Sequence, residues 1–173
     1  ARTLTGVHEK HFWLTVYTKP RHEKIADEKL QEKGIESYLP LVKRTRQWKD
    51  RKKKVWMPLF KSYLFVRIPL KETLHVVQTY GVHHIVRFSG TYGIMQDDQI
   101  EAIRQILEGG FVPESDDYFE VGEEVEISYG PLQGIRGIIS TKRNESRFIL
   151  KVDGINQAIS VMIDSNWLMK AKT

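Results

Sequence analysis

The chain has 173 residues, of which 40% are hydrophobic, 28% charged and none cysteine. That length and composition suit one or two domains with a buried core. They exclude disulfides, thiolate nucleophiles and cysteine-ligated metals, and a reducing cytoplasm is the expected compartment. The formal net charge of +5 is unevenly spread. Residues 1–110 carry 20 basic and 12 acidic side chains, and residues 111–173 carry 7 and 10. A basic front and an acidic back imply two units with different partners.

Residues 1–10 are polar and read as a flexible tail without the apolar core of a signal peptide. His11 to Tyr17 (HFWLTVY) is an apolar, aromatic run and predicts a buried strand. Pro20 marks the entry to a helix over Arg21–Lys33, with Ile25, Ala26 and Leu30 on one face and Gly34 as its C-terminal cap. Ile35–Val42 and Val55–Ile68 predict the two arms of a hairpin. Pro58 in the second arm points to an edge or a bulge.

Between the arms, Lys43, Arg44, Arg46, Lys49, Arg51, Lys52, Lys53 and Lys54 place eight cations in twelve residues, with Asp50 as the only acid. Such a run is self-repelling until an anion neutralises it, and phosphate is the natural one. The bland alternative is a solvated basic turn. Trp48 in its midst can stack on a base or shield the hairpin.

Leu70–Thr79 predicts a short helix with Leu70, Leu74 and Val77 on one face, closed by Gly81. Val82–Phe88 predicts a strand, in which His83 and His84, as neighbours, point to opposite faces. Ser89-Gly90 is a turn before Tyr92–Met95. Asp98 to Glu101 resembles a capping box opening a helix with Ile100, Ile103 and Leu107 on one face, stopped by Gly109-Gly110. This first unit is an α+β sandwich of an antiparallel sheet with three helices. Residues 109–120 read as an acidic Gly/Pro linker. Beyond it, alternation at Val125/Ile127/Tyr129, Phe148/Leu150/Val152 and Ile159/Val161/Ile163, with a strand over Ile135–Thr141, predicts five short strands in a small SH3-like barrel.

No phosphate-binding glycine loop, dinucleotide fingerprint or nucleophile elbow is present. His8 and His11 lack a third partner for a metal, and capping explains Asp97 and Asp98. The expectation is therefore a non-enzyme without cofactor or metal, and without a transmembrane segment, since no apolar run approaches ~20 residues.

The order strand, helix, basic-tipped hairpin, helix, strands, helix, acidic linker, small barrel resembles the NusG family of transcription elongation factors. Trp13 to Tyr17 is similar to that family's opening strand, and Pro58 to Val66 (PLFKSYLFV) to its P-L-F-P-x-Y-[LV]-F-V signature. Gly81-Val82 with Val86 to Phe88 resembles a third block, and Gly122 to Ile139 the KOW motif. Gln47 to Lys52 followed by Val55 is closer to specialised RfaH-like antiterminators of the UpxY type, which act on polysaccharide-biosynthesis operons. The resemblance spans residues 12–170. It implies an N-terminal NGN-type domain over 11–108, a linker over 109–120 and a KOW-type barrel over 121–173.

The resemblance further implies a monomeric antitermination factor that docks on the clamp helices of bacterial RNA polymerase, bridges the DNA cleft and suppresses pausing. The docking residues would be Tyr17, Phe60, Tyr63, Phe65 and Phe88. Lys19, Arg21, Arg46, Trp48, Lys49, Arg51 and Lys52 would meet the non-template strand or upstream duplex. Glu72 to His75 would lie near the opposite side of the cleft. Two departures stand out. Lys61-Ser62 replaces the Pro-Gly or Pro-Asn of the signature. Ile155-Asn156-Gln157 replaces the barrel's Phe-Gly-Arg loop, which puts a ribosomal protein or Rho in doubt as its partner. A general elongation factor and a KOW nucleic-acid module are the competing readings.

Overall fold

The computed structural model describes residues 10–116, 122–142, 145–152, 155, 157–163 and 165–170. In chain order the elements are β1 (Phe12–Thr18), α1 (Glu23–Glu32), β2 (Glu36–Tyr38), β3 (Leu41–Trp48), β4 (Arg51–Pro58) and β5 (Tyr63–Ile68). A 3-10 turn (Leu70–Glu72) then leads into α2 (Thr73–Val77), β6 (Val82–Ile85), β7 (Arg87–Phe88), β8 (Thr91–Tyr92), β9 (Ile94–Met95) and α3 (Asp97–Glu108). The remaining strands are β10 (Glu114–Asp116), β11 (Glu123–Ile127), β12 (Arg136–Lys142), β13 (Glu145–Val152), β14 (Gln157–Met162) and β15 (Leu168–Lys170). This is an α+β chain with three helices and antiparallel sheets. It divides into two compact units. One holds β1, α1, β2, β5, α2 and β6–β9, and the other the β3–β4 hairpin, α3 and β10–β15.

The first unit is built on the antiparallel order β2-β5-β1-β6, with β9 also paired to β1. Strand alternation sorts its side chains into two faces. Leu14 and Val16 of β1, Leu64 and Val66 of β5, and Val82 and Ile85 of β6 join Ala26 and Leu30 of α1 and Val76 of α2 in one apolar cluster. Trp13, Thr15 and Tyr17 alternate with the cluster residues of β1, as Tyr63 and Phe65 do with those of β5, and so occupy the opposite face. Thr15 pairs with Phe65 and Tyr17 with Tyr63. Among the described residues, the buried hydroxyls of Thr15 and Thr18 have no hydrogen-bond partner.

Helix α1 ends as expected. Gly34 takes φ +77 and donates to the Gln31 carbonyl at 2.9 Å, while Ile35 donates to Leu30 at 3.0 Å, the paired bonds of a left-handed helix terminus. The face of the second helix that groups Leu70, Leu74 and Val77 is not the one turned to the core. Leu70, Leu74 and Val77 are 46%, 64% and 40% exposed, and Val76 is the residue that seats in the core. The helix proper is five residues long, too short to present a full apolar stripe.

Each predicted arm of the hairpin is also split. The first breaks between Tyr38 and Leu41, at Pro40, and the second between Pro58 and Tyr63. Ser62 there adopts φ +65, a conformation glycine or asparagine takes more readily. The cap of helix α3 lies two residues earlier than expected, at Gln96 instead of Asp98. The Gln96 backbone N–H donates to Gln99 Oε1 at 3.2 Å.

The second unit contains a six-stranded antiparallel sheet in the order β10-β14-β13-β12-β11-β15. Strand β10 falls within the stretch expected to be linker, and it pairs with β14. Ile127, Phe148, Val152, Ala158, Ile159 and Val161 are its buried centre. Gly137 permits the close approach of β12 and β13, since a Cβ there would lie 2.5 Å from the Ile149 carbonyl and from the Phe148 ring. Among the described residues β10 and β15 do not pair, so the sheet is open and a closed barrel is not observed. The Ile155-Asn156-Gln157 loop lies partly outside the described residues.

Candidate functional site

Three groups of side chains stand out, two in the first unit and one in the second. The first is aromatic. Tyr17 and Tyr63 face each other across β1 and β5, with ring centroids 5.3 Å apart in an edge-to-face arrangement. Both are half-buried. The rings of His83 and His84 approach Tyr17 at 5.8 and 5.1 Å.

That both histidines reach Tyr17 corrects the expectation that they diverge. The register places His84 opposite Tyr17 and Val82 opposite Thr18, leaving His83 as the extra residue of a bulge. A bulge interrupts the alternation of side chains. Val82 and Ile85 are buried while both histidines are exposed, with Nδ1 atoms 2.8 Å apart. One Nδ1 must carry a hydrogen and the other must accept it. His84 is held below the usual histidine pKa, first by burial and then by the charge of His83.

The five aromatics expected to dock are not equivalent in this structure. Phe60 and Phe65 are 1% and 0% exposed. They offer no surface here, because apolar bulk next to a sheet is taken into the core. Tyr17 and Tyr63 are only half-buried. Phe88 is exposed on the separate β7–β8 hairpin, where Arg87 donates to the Tyr92 hydroxyl at 2.6 Å.

The second group surrounds the loop after β1. Lys19 Nζ lies over the Tyr80 ring at 5.7 Å, and the His22 ring meets the same tyrosine at 5.7 Å. The Lys19 N–H donates to the Gly81 carbonyl at 2.9 Å, which ties this loop to the turn before β6. Arg21 is exposed and adopts φ +62. Lys19 and Arg21 were expected here. Tyr80 and His22 were not, since nothing in their sequence spacing brings residues 58 positions apart to one ring.

The third group is the β3–β4 hairpin. Its register runs from Leu41↔Pro58 to Trp48↔Arg51, closed by Lys49 and Asp50. Directly opposed residues share a face. One face therefore carries Arg44, Arg46 and Trp48 with Arg51, Lys53 and Val55. The other carries Lys43, Thr45 and Gln47 with Lys52, Lys54 and Trp56. The expected contact set of Arg46, Trp48, Lys49, Arg51 and Lys52 is thus split. Arg46, Trp48 and Arg51 lie together, Lys52 lies on the reverse, and Lys49 is in the turn. Arg44 and Lys53 join the first face. Among the described residues, none of these cations pairs with a carboxylate. Lys43 Nζ covers the Trp56 ring at 5.8 Å.

A cavity of about 800 Å³ in the second unit is lined by Asp98, Glu101 and Gln105 of α3 and by Glu124, Arg136 and Lys151 of the sheet. Charged ends and amides gather there without a nucleophile beside a base. Among the described residues no cluster of three or more metal-ligating side chains occurs, and no helix is long and apolar enough to cross a membrane.

Residues 11–104, more than half of the chain, match the family model described as NusG, transcription termination factor nusG. The chain belongs to the NusG family. Members of that family are transcription factors. The fold is similar to that of Thermotoga maritima NusG, from a structure described as showing domain interaction. The identity is 20% and the TM-score 0.55, and the match covers 94% of this chain and 98% of that one. A chain of the MjSpt4:Spt5 complex aligns at 16% identity and a TM-score of 0.31, covering 93% of this chain and 99% of that one.

Proposed function

We propose that this NusG-family chain is an elongation and antitermination factor. It binds RNA polymerase at the clamp helices, bridges the DNA cleft and suppresses pausing. The observation that carries the reading is the Tyr17–Tyr63 pair, two half-buried rings in edge contact on the sheet face opposite the apolar cluster. Accessible aromatic edges on a rigid sheet anchor protein interfaces, because they bury large area at little entropic cost. Phe65 is buried on the same face as Tyr63, and Phe88 is an exposed ring of the first unit. Lys19, Arg21, Arg46, Lys49 and Arg51 supply phosphate contacts to the non-template strand or upstream duplex, and these fix register without reading sequence.

The wording of the arm around Trp48 favours a specialised factor of the RfaH-like UpxY type, acting in the cytoplasm on a polysaccharide-biosynthesis operon. The domain division at residues 108 and 121 and the KOW-type barrel belong to the same proposal. So does action as a monomer without cofactor. The barrel lacks the Phe-Gly-Arg loop, so neither a ribosomal protein nor Rho is assigned to it.

The test is the duration of a defined transcription pause with cognate core polymerase, with and without the protein and with Tyr63→Ala. Shortened pauses that the substitution abolishes support the proposal. Unchanged pauses with no polymerase binding, even on a template from the protein's own locus, refute it in favour of a KOW nucleic-acid module. Shortening on every template tested would identify a general elongation factor.

A further inference from the structure

The two faces of the β3–β4 hairpin differ in chemistry as well as in membership. Rungs Arg44·Val55, Arg46·Lys53 and Trp48·Arg51 form one face, and Lys43·Trp56, Thr45·Lys54 and Gln47·Lys52 the other. All three arginines of the arm fall on the first. The second has only lysines as its cations. Arginine offers a planar fork that holds phosphate bidentately and stacks on bases, whereas lysine acts as a hydrated point charge.

The two tryptophans differ likewise. Trp56, near the root, has the Lys43 ammonium over its ring. Trp48, at the tip, is 58% exposed, and among the described residues no cation or ring covers it. The arginine face also becomes protein core at its root, where Val42 is buried at 3% exposure. It therefore starts from a fixed base.

We infer that the arginine face, with Trp48 as its stacking platform, is a binding track for a single-stranded polynucleotide, and that the lysine face is not. Successive rungs on one face of a strand stand ~6.8 Å apart, twice the rise per residue. Arg44 and Arg46 with Lys53 and Arg51 so form a short ladder of phosphate contacts leading to an open indole. A base can lie on that indole only if its π-face is free. Duplex bases are stacked on their neighbours, while a single strand exposes every base to an aromatic platform. The inference deepens the nucleic-acid part of the proposed function and rests on it. It does not depend on polymerase docking.

The experiment measures fluorescence anisotropy of the full chain, without polymerase, on a labelled single-stranded DNA, a single-stranded RNA of the same sequence and the corresponding DNA duplex. Trp48→Ala should weaken single-strand binding roughly tenfold, Trp48→Phe should restore most of it, and Trp56→Ala should leave it within about twofold. Exchanging Arg44, Arg46, Arg51 and Lys53 for glutamine should flatten the slope of log K against log salt by about 3, since each single-strand phosphate contact contributes ~0.7. Exchanging Lys43 and Lys54 should change it by less than about 1. The track holds whichever of DNA and RNA binds tighter, and that ratio tells whether the strand is the displaced DNA or a transcript. Equal losses from the two tryptophan variants overturn the inference, as does tighter duplex binding that ignores Trp48. Normal pause shortening by Trp48→Ala together with lost strand binding would separate the track from docking. Loss of pausing control in Tyr63→Ala with intact strand binding would do the same in reverse.

Discussion

The hairpin should hold together better in concentrated salt than in dilute salt, the reverse of a fold stabilised by ion pairs. Arg46 and Lys53 are directly opposed across β3 and β4. Their Cβ atoms are therefore ~5 Å apart, and splayed heads at about 7 Å repel by ~0.6 kcal/mol in water. At ~0.01 M salt the screening length of ~30 Å leaves most of that repulsion, and at ~1 M a length of ~3 Å removes nearly all of it. The difference is about 0.4 kcal/mol, or about a twofold change in the opening equilibrium from this one pair. Amide exchange at Arg46 and Lys53 should slow by at least that factor between the two conditions, with β1 amides as internal reference. Lys53→Thr, which places a strand-favouring neutral residue at the site, should slow exchange at low salt and shrink the salt effect. Exchange that ignores salt in the wild type, or a salt effect of full size in the variant, would refute the electrostatic account.

Ser62→Gly should stabilise the first unit by about 1 kcal/mol, because the serine holds φ +65 at the cost of a left-handed L-residue. Thermal denaturation should show a rise of about 2–4 °C, and an unchanged or lowered midpoint would mean the turn is not strained. Acid should weaken the same unit. His84 is held below the usual histidine value by burial and by His83, so the folded state binds fewer protons than the unfolded state. Its contribution is complete above the unfolded value of 6.5 and falls as the pH drops through the window beneath it. Urea midpoints at pH 7.5 and 5.5 should therefore diverge less in His84→Asn than in wild type, and equal divergence would remove His84 from the explanation.

Much of the framework was legible in the sequence because it is written in local signals. The HFWLTVY run gave β1, the glycine at position 34 closed α1, and the apolar spacing of Ile100 and Ile103 gave α3. The breaks at Pro40 and Ser62 were harder, since both interrupt runs that are strand-like in composition. The exposure of Leu74 was not legible, because periodicity tells which residues share a face and not which face the fold covers. His83 and His84 show the same limit in a strand. Alternation separates them, and one extra residue against β1 reunites them.

At the arm, the sequence marked the cations but not their sorting into faces. That sorting depends on a two-residue loop at Lys49-Asp50. Lengthening the loop by one residue would swap which β4 residues share a face with the arginines of β3, because side-chain direction has a period of two. The aromatic pair was named only through resemblance. Its geometry explains why two of the five expected rings are accessible as a pair and two are sealed.

The arm is also an excursion between two strands that pair with the same sheet. Strand β2 ends at Tyr38, β5 begins at Tyr63, and the two are neighbours, with Tyr38 opposite Phe65. The Leu59 N–H closes the root on the Pro40 carbonyl at 2.9 Å. Whatever lies beyond that closure can lengthen, shorten or be exchanged in cross-strand pairs without shifting the register of β5 against β1. The hairpin is thereby a separately variable ribbon, whose length and cross-strand pairs are independent of the β2–β5 pairing.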